Sequence, residues 1–112
     1  AALLLAVLGG ARSLRVDEAL RRVWAMSIPE LPARGDRLLE YSGRKAWRFE
    51  GEMRFISETF ESAGLPGGFH SAAAEIYRRL AGQVDGSFPV AHGQTLTDLL
   101  GGAKPAAFEP RR

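Results

Sequence analysis

The sequence contains no cysteine, which excludes a disulfide framework, a thiolate nucleophile and a cysteine-based metal site. It also lacks both glycine patterns that cradle phosphates, G-x-G-x-x-G and G-x-x-x-x-G-K-[ST], so these residues encode no nucleotide cradle. Long apolar runs are missing. The opening AALLLAVL reaches Arg12 and Arg15 far short of the about 20 apolar residues that span a bilayer. No basic segment precedes that run and no A-x-A site follows it, so it does not read as a secretory signal. An excess of either charge is lacking too: 15 Lys and Arg face 13 Asp and Glu, for a net charge of +2. The basic residues are dispersed, which argues against a nucleic-acid binder.

What is present is a chain of 112 residues, 46% hydrophobic and 25% charged, the profile of one soluble domain with one core. Its most informative stretch runs from Arg44 to Leu80. Ala46, Phe49, Met53, Ile56, Phe60 and Ala63 recur at steps of three and four, one stripe of a helix. Gly64 and Pro66 end it. A second period, Phe69, Ala72, Ala73, Ile76, Tyr77 and Leu80, follows after the short 65–68 loop, which predicts an αα-hairpin. Upstream, Ala1 to Ser13 reads as a buried helix, apolar on all sides and weakened at its end by Gly9 and Gly10. Asp17 starts the next helix, with Leu20, Val23, Trp24 and Ile28 as its buried stripe and Arg21 and Arg22 on a solvated face. Pro29 to Gly35 is expected as loop or short turns, with Asp36 capping a short helix that holds Leu38, Leu39 and Tyr41. Beyond Gly82, Gly and Pro abound, and only Thr95 to Leu100 is periodic, with Thr95 and Asp98 resembling a capping box; a tail is expected there, the alternative being one docked turn of helix, marginal by itself.

Helical geometry sorts the candidate chemistry. Glu50, Arg54, Glu58 and Glu61 lie opposite the apolar stripe of the long helix, a solvated face of i,i+4 pairs. Arg48 and Glu52 fall on the border of that stripe, where a carboxylate needs a partner. Arg48 supplies one four residues back, and the sharper alternative is that both look into a cleft. His70 is expected as a neutral, hydrogen-bonded residue holding the hairpin turn, because a lone histidine without a nearby nucleophile or second metal ligand is a poor catalytic signature. His92 pairs with nothing recognisable. Trp24, Trp47 and Tyr77 read as core or interface aromatics, and Glu75 with Arg78 and Arg79 as solvated.

Together ALLLAVLGGAR, VDEAL, KAWRFEGEM and ETFESAGLPGGFHSAAAEIYRRLAG resemble, over roughly residues 1–82, the C-terminal helical domain of NAD(P)-dependent oxidoreductases. These are relatives of 6-phosphogluconate and 3-hydroxyisobutyrate dehydrogenases, the β-hydroxyacid dehydrogenase superfamily. The resemblance implies an N-terminal Rossmann domain that binds NAD or NADP, and a helical domain that closes over a small-molecule substrate and supports a homodimer. Hydride would pass between the nicotinamide and a carbon bearing a hydroxyl or carbonyl. The family's catalytic lysine belongs on a helix upstream of the ALLL run, and Lys45 and Lys104 stand in the wrong contexts. These 112 residues are therefore expected as a fragment, inactive alone and without bound cofactor. In hydroxyisobutyrate-type relatives a Lys-Asp pair reaches toward the active-site cleft and aligns with Gly51 and Glu52. The resemblance thus leaves Glu52, oriented by Arg48, as the substrate-binding candidate.

The expectation is an all-α, compact domain of about five helices over residues 1–82, followed by an irregular, flexible tail over 83–112. It carries no catalytic, cofactor-binding or metal-binding residue of its own, and it has neither a nucleic-acid nor a membrane partner. A cytoplasmic location is expected, the absence of cysteine fitting a reducing compartment. The competing reading is a stand-alone helical module whose AALLLAVL face binds a partner protein.

Overall fold

A computed structural model describes residues 1–83 and 88–101. They are all-helical, as expected, with five α-helices in the first 82 residues: α1 (Ala2–Ser13), α2 (Asp17–Ser27), α3 (Leu31–Tyr41), α4 (Ala46–Ser62) and α5 (Gly68–Leu80). A short 3₁₀ turn, Ser42–Lys45, joins α3 to α4.

The α4/α5 hairpin forms as its periodicity requires. Phe49, Met53, Ile56 and Phe60 turn half-buried toward α5, and Phe49 meets Tyr77 at 5.3 Å between ring centroids. Gly64 ends α4 at φ +80, a backbone region that side chains disfavour. The Leu65 amide donates back to the Phe60 carbonyl at 2.8 Å and that of Gly64 to Glu61 at 3.0 Å, which satisfies carbonyls a helix end would leave orphaned. The turn is locked from inside. Buried Ser57 donates its hydroxyl to the Gly67 carbonyl at 2.8 Å, and a Cβ on Gly67 would come within 2.7 Å of that oxygen.

The core gathers Leu5 and Leu8 of α1, Leu39 of α3, Ala46 of α4, and Tyr77 and Leu80 of α5. One side of α1 is therefore buried within the chain. The other is open: Leu3 is 64% exposed and Val7 is also exposed.

Three local expectations differ from the structure. No residue of α2 is buried. Leu20 and Trp24 are half-buried, but Val23 and Ile28 are exposed, because α2 lies on the rim and only one edge of its apolar stripe meets α3. The segment expected as loop, Pro29 to Gly35, is mostly helix, since α3 begins at Leu31. Pro32 falls in its first turn, where the missing N–H would have no intrahelical partner. Asp36 is accordingly inside α3 and caps nothing.

The third difference concerns the segment expected as a tail. His92–Leu99 form a sixth helix, α6, whose Leu96 and Leu99 enter the core cluster. Thr95 is fully buried and is not a cap: its hydroxyl donates to the Leu39 carbonyl. The Val90 amide donates to the Glu40 carbonyl at 3.0 Å. Arg79 donates to the Leu99 carbonyl at 2.8 Å, tying the far end of α6 to α5. So short a helix is marginal alone, and tertiary burial stabilises it. Residues 84–87 and 102–112 of the expected tail lie outside the described residues.

Candidate functional site

Two surfaces carry grouped polar chemistry, the outer side of α4 and the junction of α2, α3 and α6.

On α4, Arg48 Nε donates to Glu52 Oε1 at 3.2 Å, with the side chains 60% and 48% exposed. The i,i+4 spacing brings them together as the sequence suggests. The carboxylate is solvated in this chain, and such exposed pairs contribute about 0–1 kcal/mol. Arg54 donates to Glu50 at 3.1 Å on the other border. Between the two pairs stand Trp47, Gly51 and Phe55. Trp47 is 59% and Phe55 71% exposed, so of the three aromatics expected in a core or interface only Tyr77 is buried. Trp24 is half-buried. Burial raises the Tyr77 phenol above its ordinary value.

The second surface was not legible as a site. Arg21 is half-buried, not on a solvated face. Its guanidinium donates to Asp36 Oδ1 at 2.6 Å. His92, which in sequence pairs with nothing, has Nε2 2.8 Å from Glu40 Oε1 and Nδ1 3.9 Å from Asp36 Oδ1. A cleft of about 360 Å³ opens beside them, lined by Arg12, Asp17, Glu18, Arg21 and His92 over Leu8 and Leu39. Arg12 is engaged by Asp17 at 3.2 Å. With its cations paired and the Thr95 hydroxyl of α6 spent on the Leu39 carbonyl, this cluster clamps α6 to α3 and lacks an activated nucleophile. Among the described residues no group of three His, Asp or Glu side chains could hold a metal ion.

Two remaining candidates resolve as structure. His70 is not hydrogen-bonded at the turn. Its ring lies edge-on to Phe60 at 4.6 Å and to Phe69 at 5.3 Å, with Nδ1 buried and unpartnered, and it is Ser57 that holds the turn. Glu75 accepts both Arg78 donors at 2.7 Å and Arg79 Nε at 3.2 Å. Hydrogen bonds from Arg78 first and Arg79 second hold its carboxyl at about 2, and the same contact raises the Arg78 guanidinium. Among the described residues no helix is long and apolar enough to cross a membrane.

Residues 11–80 match a protein family described as a domain of unknown function, DUF1932. The match spans more than half of the chain, and the chain belongs to that family. The family is a C-terminal helical domain associated with 3-hydroxyisobutyrate dehydrogenase-like proteins. No curated protein and no solved structure gave a significant match.

Proposed function

From membership of that family we propose that this chain is the helical domain of an NAD(P)-dependent oxidoreductase acting on a hydroxy acid or a related hydroxyl or carbonyl substrate. The observation that carries the reading is the match over residues 11–80, which covers α2 to α5 and the end of α1. The dinucleotide would be bound by a separate Rossmann domain. The described residues are helices throughout and offer no strand-to-helix glycine turn to hold a pyrophosphate. The open side of α1, with Leu3 and Val7 exposed, is a surface against which such a domain can seat.

In this reading α4 presents the Arg48–Glu52 pair to the substrate. A solvated pair alone is weak, but closure of a second domain over it would desolvate both charges and strengthen their hold on a polar substrate. The test uses the protein joined to its dinucleotide-binding domain, with hydroxy acids screened by the absorbance of reduced nicotinamide. Arg48→Ala and Glu52→Gln are expected to raise KM or lower kcat at least tenfold while the circular dichroism stays unchanged. Wild-type kinetics in both variants would remove α4 from the substrate cleft. The open apolar side of α1 also supports the second reading, a helical module that binds a partner protein, and absence of nicotinamide-linked turnover on any hydroxy acid would favour it.

A further inference from the structure

Helices α1 and α3 touch where Gly35 faces Leu8: a Cβ on Gly35 would stand 3.3 Å from a Leu8 methyl carbon. Beside that contact they leave a groove of about 460 Å³, walled by Leu3, Leu4 and Val7 of α1 and by Leu31 and Leu38 of α3. Leu3 and Val7 are exposed, and the other three are half-buried. Among the described residues the one charged side chain in this wall is Arg34. Arg12, Arg21, Arg48, Arg54, Arg78 and Arg79 each hold a carboxylate. Arg34 is exposed, and among the described residues it pairs with none, the Glu30 side chain one turn before it included. The acids that α3 itself carries are engaged elsewhere, Asp36 by Arg21 at 2.6 Å and Glu40 by His92 at 2.8 Å. The groove is therefore apolar along its length, with one uncompensated cation at its rim.

We propose that this groove binds an aliphatic monocarboxylate, with its chain along Leu4, Val7, Leu31 and Leu38 and its carboxylate on the Arg34 guanidinium. The volume lies in the range of about 300–1,000 Å³ that small-molecule sites occupy, and such sites pair a mostly apolar lining with a few polar groups that fix orientation. Here one group does so. A guanidinium offers a planar fork of donors that a carboxylate accepts two at a time, a fit that neither an alcohol nor an ammonium can reproduce. The apolar wall supplies affinity, and Arg34 supplies the selection of head group. No residue of α4 lines the groove, so it is separate from the Arg48–Glu52 pair, and the inference does not rest on the oxidoreductase reading. A domain seated on α1 would roof the groove, and domain boundaries are where such sites concentrate.

The test titrates the 112-residue chain with octanoate by isothermal calorimetry. One-to-one, saturable binding is expected, about tenfold weaker for octanol and absent for octylamine. A fully buried methylene is worth about fourfold in affinity, and in a groove open on one side hexanoate should bind about fivefold more weakly than octanoate. Arg34→Gln changes an exposed side chain, so its circular dichroism should match wild type while octanoate affinity falls about tenfold to the level of octanol. Arg34→Lys keeps the charge but not the fork and should lie between. Val7→Glu, which sets a carboxylate in the apolar wall, should abolish binding, and Arg22→Gln, an exposed cation on α2, should leave it unchanged. Absence of saturable octanoate binding overturns the proposal. So does octanol binding as tightly as octanoate, or a loss at Arg22 equal to that at Arg34, whatever the nicotinamide assay returns.

Discussion

Leu99→Ala measures whether the last described helix belongs to the cooperative unit. Leu99 is 3% exposed and shares the core cluster with Leu5, Leu8 and Leu80. Truncation removes three buried carbons, and at about 0.8 kcal/mol per methylene the transfer cost is about 2.4 kcal/mol. The cavity left behind raises buried leucine-to-alanine losses to about 2–5 kcal/mol. We expect about 3 kcal/mol. For a domain of about this size each kcal/mol shifts Tm by roughly 4–8 °C, so Tm should fall by about 12–24 °C. Urea unfolding followed by far-ultraviolet circular dichroism gives the free energy, and Trp24 and Trp47 fluorescence tests whether the transition stays two-state. Leu3→Ala, on the open side of α1, serves as the control and should change stability by less than about 0.5 kcal/mol. A loss that small at Leu99 would refute the docking of α6, and with it the view that the core extends past α5.

Gly67→Ala should destabilise the protein by about 1–3 kcal/mol, because the new Cβ would stand 2.7 Å from the buried Ser57 hydroxyl and overpacking of a fixed neighbour costs that much. Ser57→Ala combined with it should cost less than the sum, which a double-mutant cycle reads. Glu75 gives a pH signature. Its carboxyl is lowered in the folded chain from 4.5 to about 2, so its contribution is complete above pH 4.5 and is lost as the pH falls toward 2. Glu75→Gln should therefore flatten the acid limb of stability over that window, and coincident slopes for wild type and variant there would count against the Arg78–Glu75–Arg79 contact.

The α4/α5 hairpin was legible because every determinant is local. The 3.6-residue period continues through seventeen residues of α4, and Gly64 supplies the left-handed turn that ends it. The Arg48–Glu52 pair was legible for the same reason, its spacing being a property of one helix. The α3 start was not, since a proline that reads as a breaker is equally at home in a first helical turn. Nor was the burial of α2: a helix with one apolar stripe does not reveal how much of that stripe its neighbours reach. His92 gave no signal because its partners Glu40 and Asp36 lie more than fifty residues away in the chain. A period-3.6 reading of Leu96 and Leu99 counted back to His92 would have placed the helix, though not its contacts.

By itself the sequence determined the all-helical class and the hairpin with its glycine stop, both of which rest on patterns within a few turns of chain. Tertiary structure alone decided that α6 joins the core, that Arg21, Asp36, Glu40 and His92 meet at its base, and that α1 is buried on one side only. Those outcomes depend on which surfaces meet after collapse. Burial and ion pairing are properties of neighbours in space, and a single strand of letters orders only neighbours in sequence.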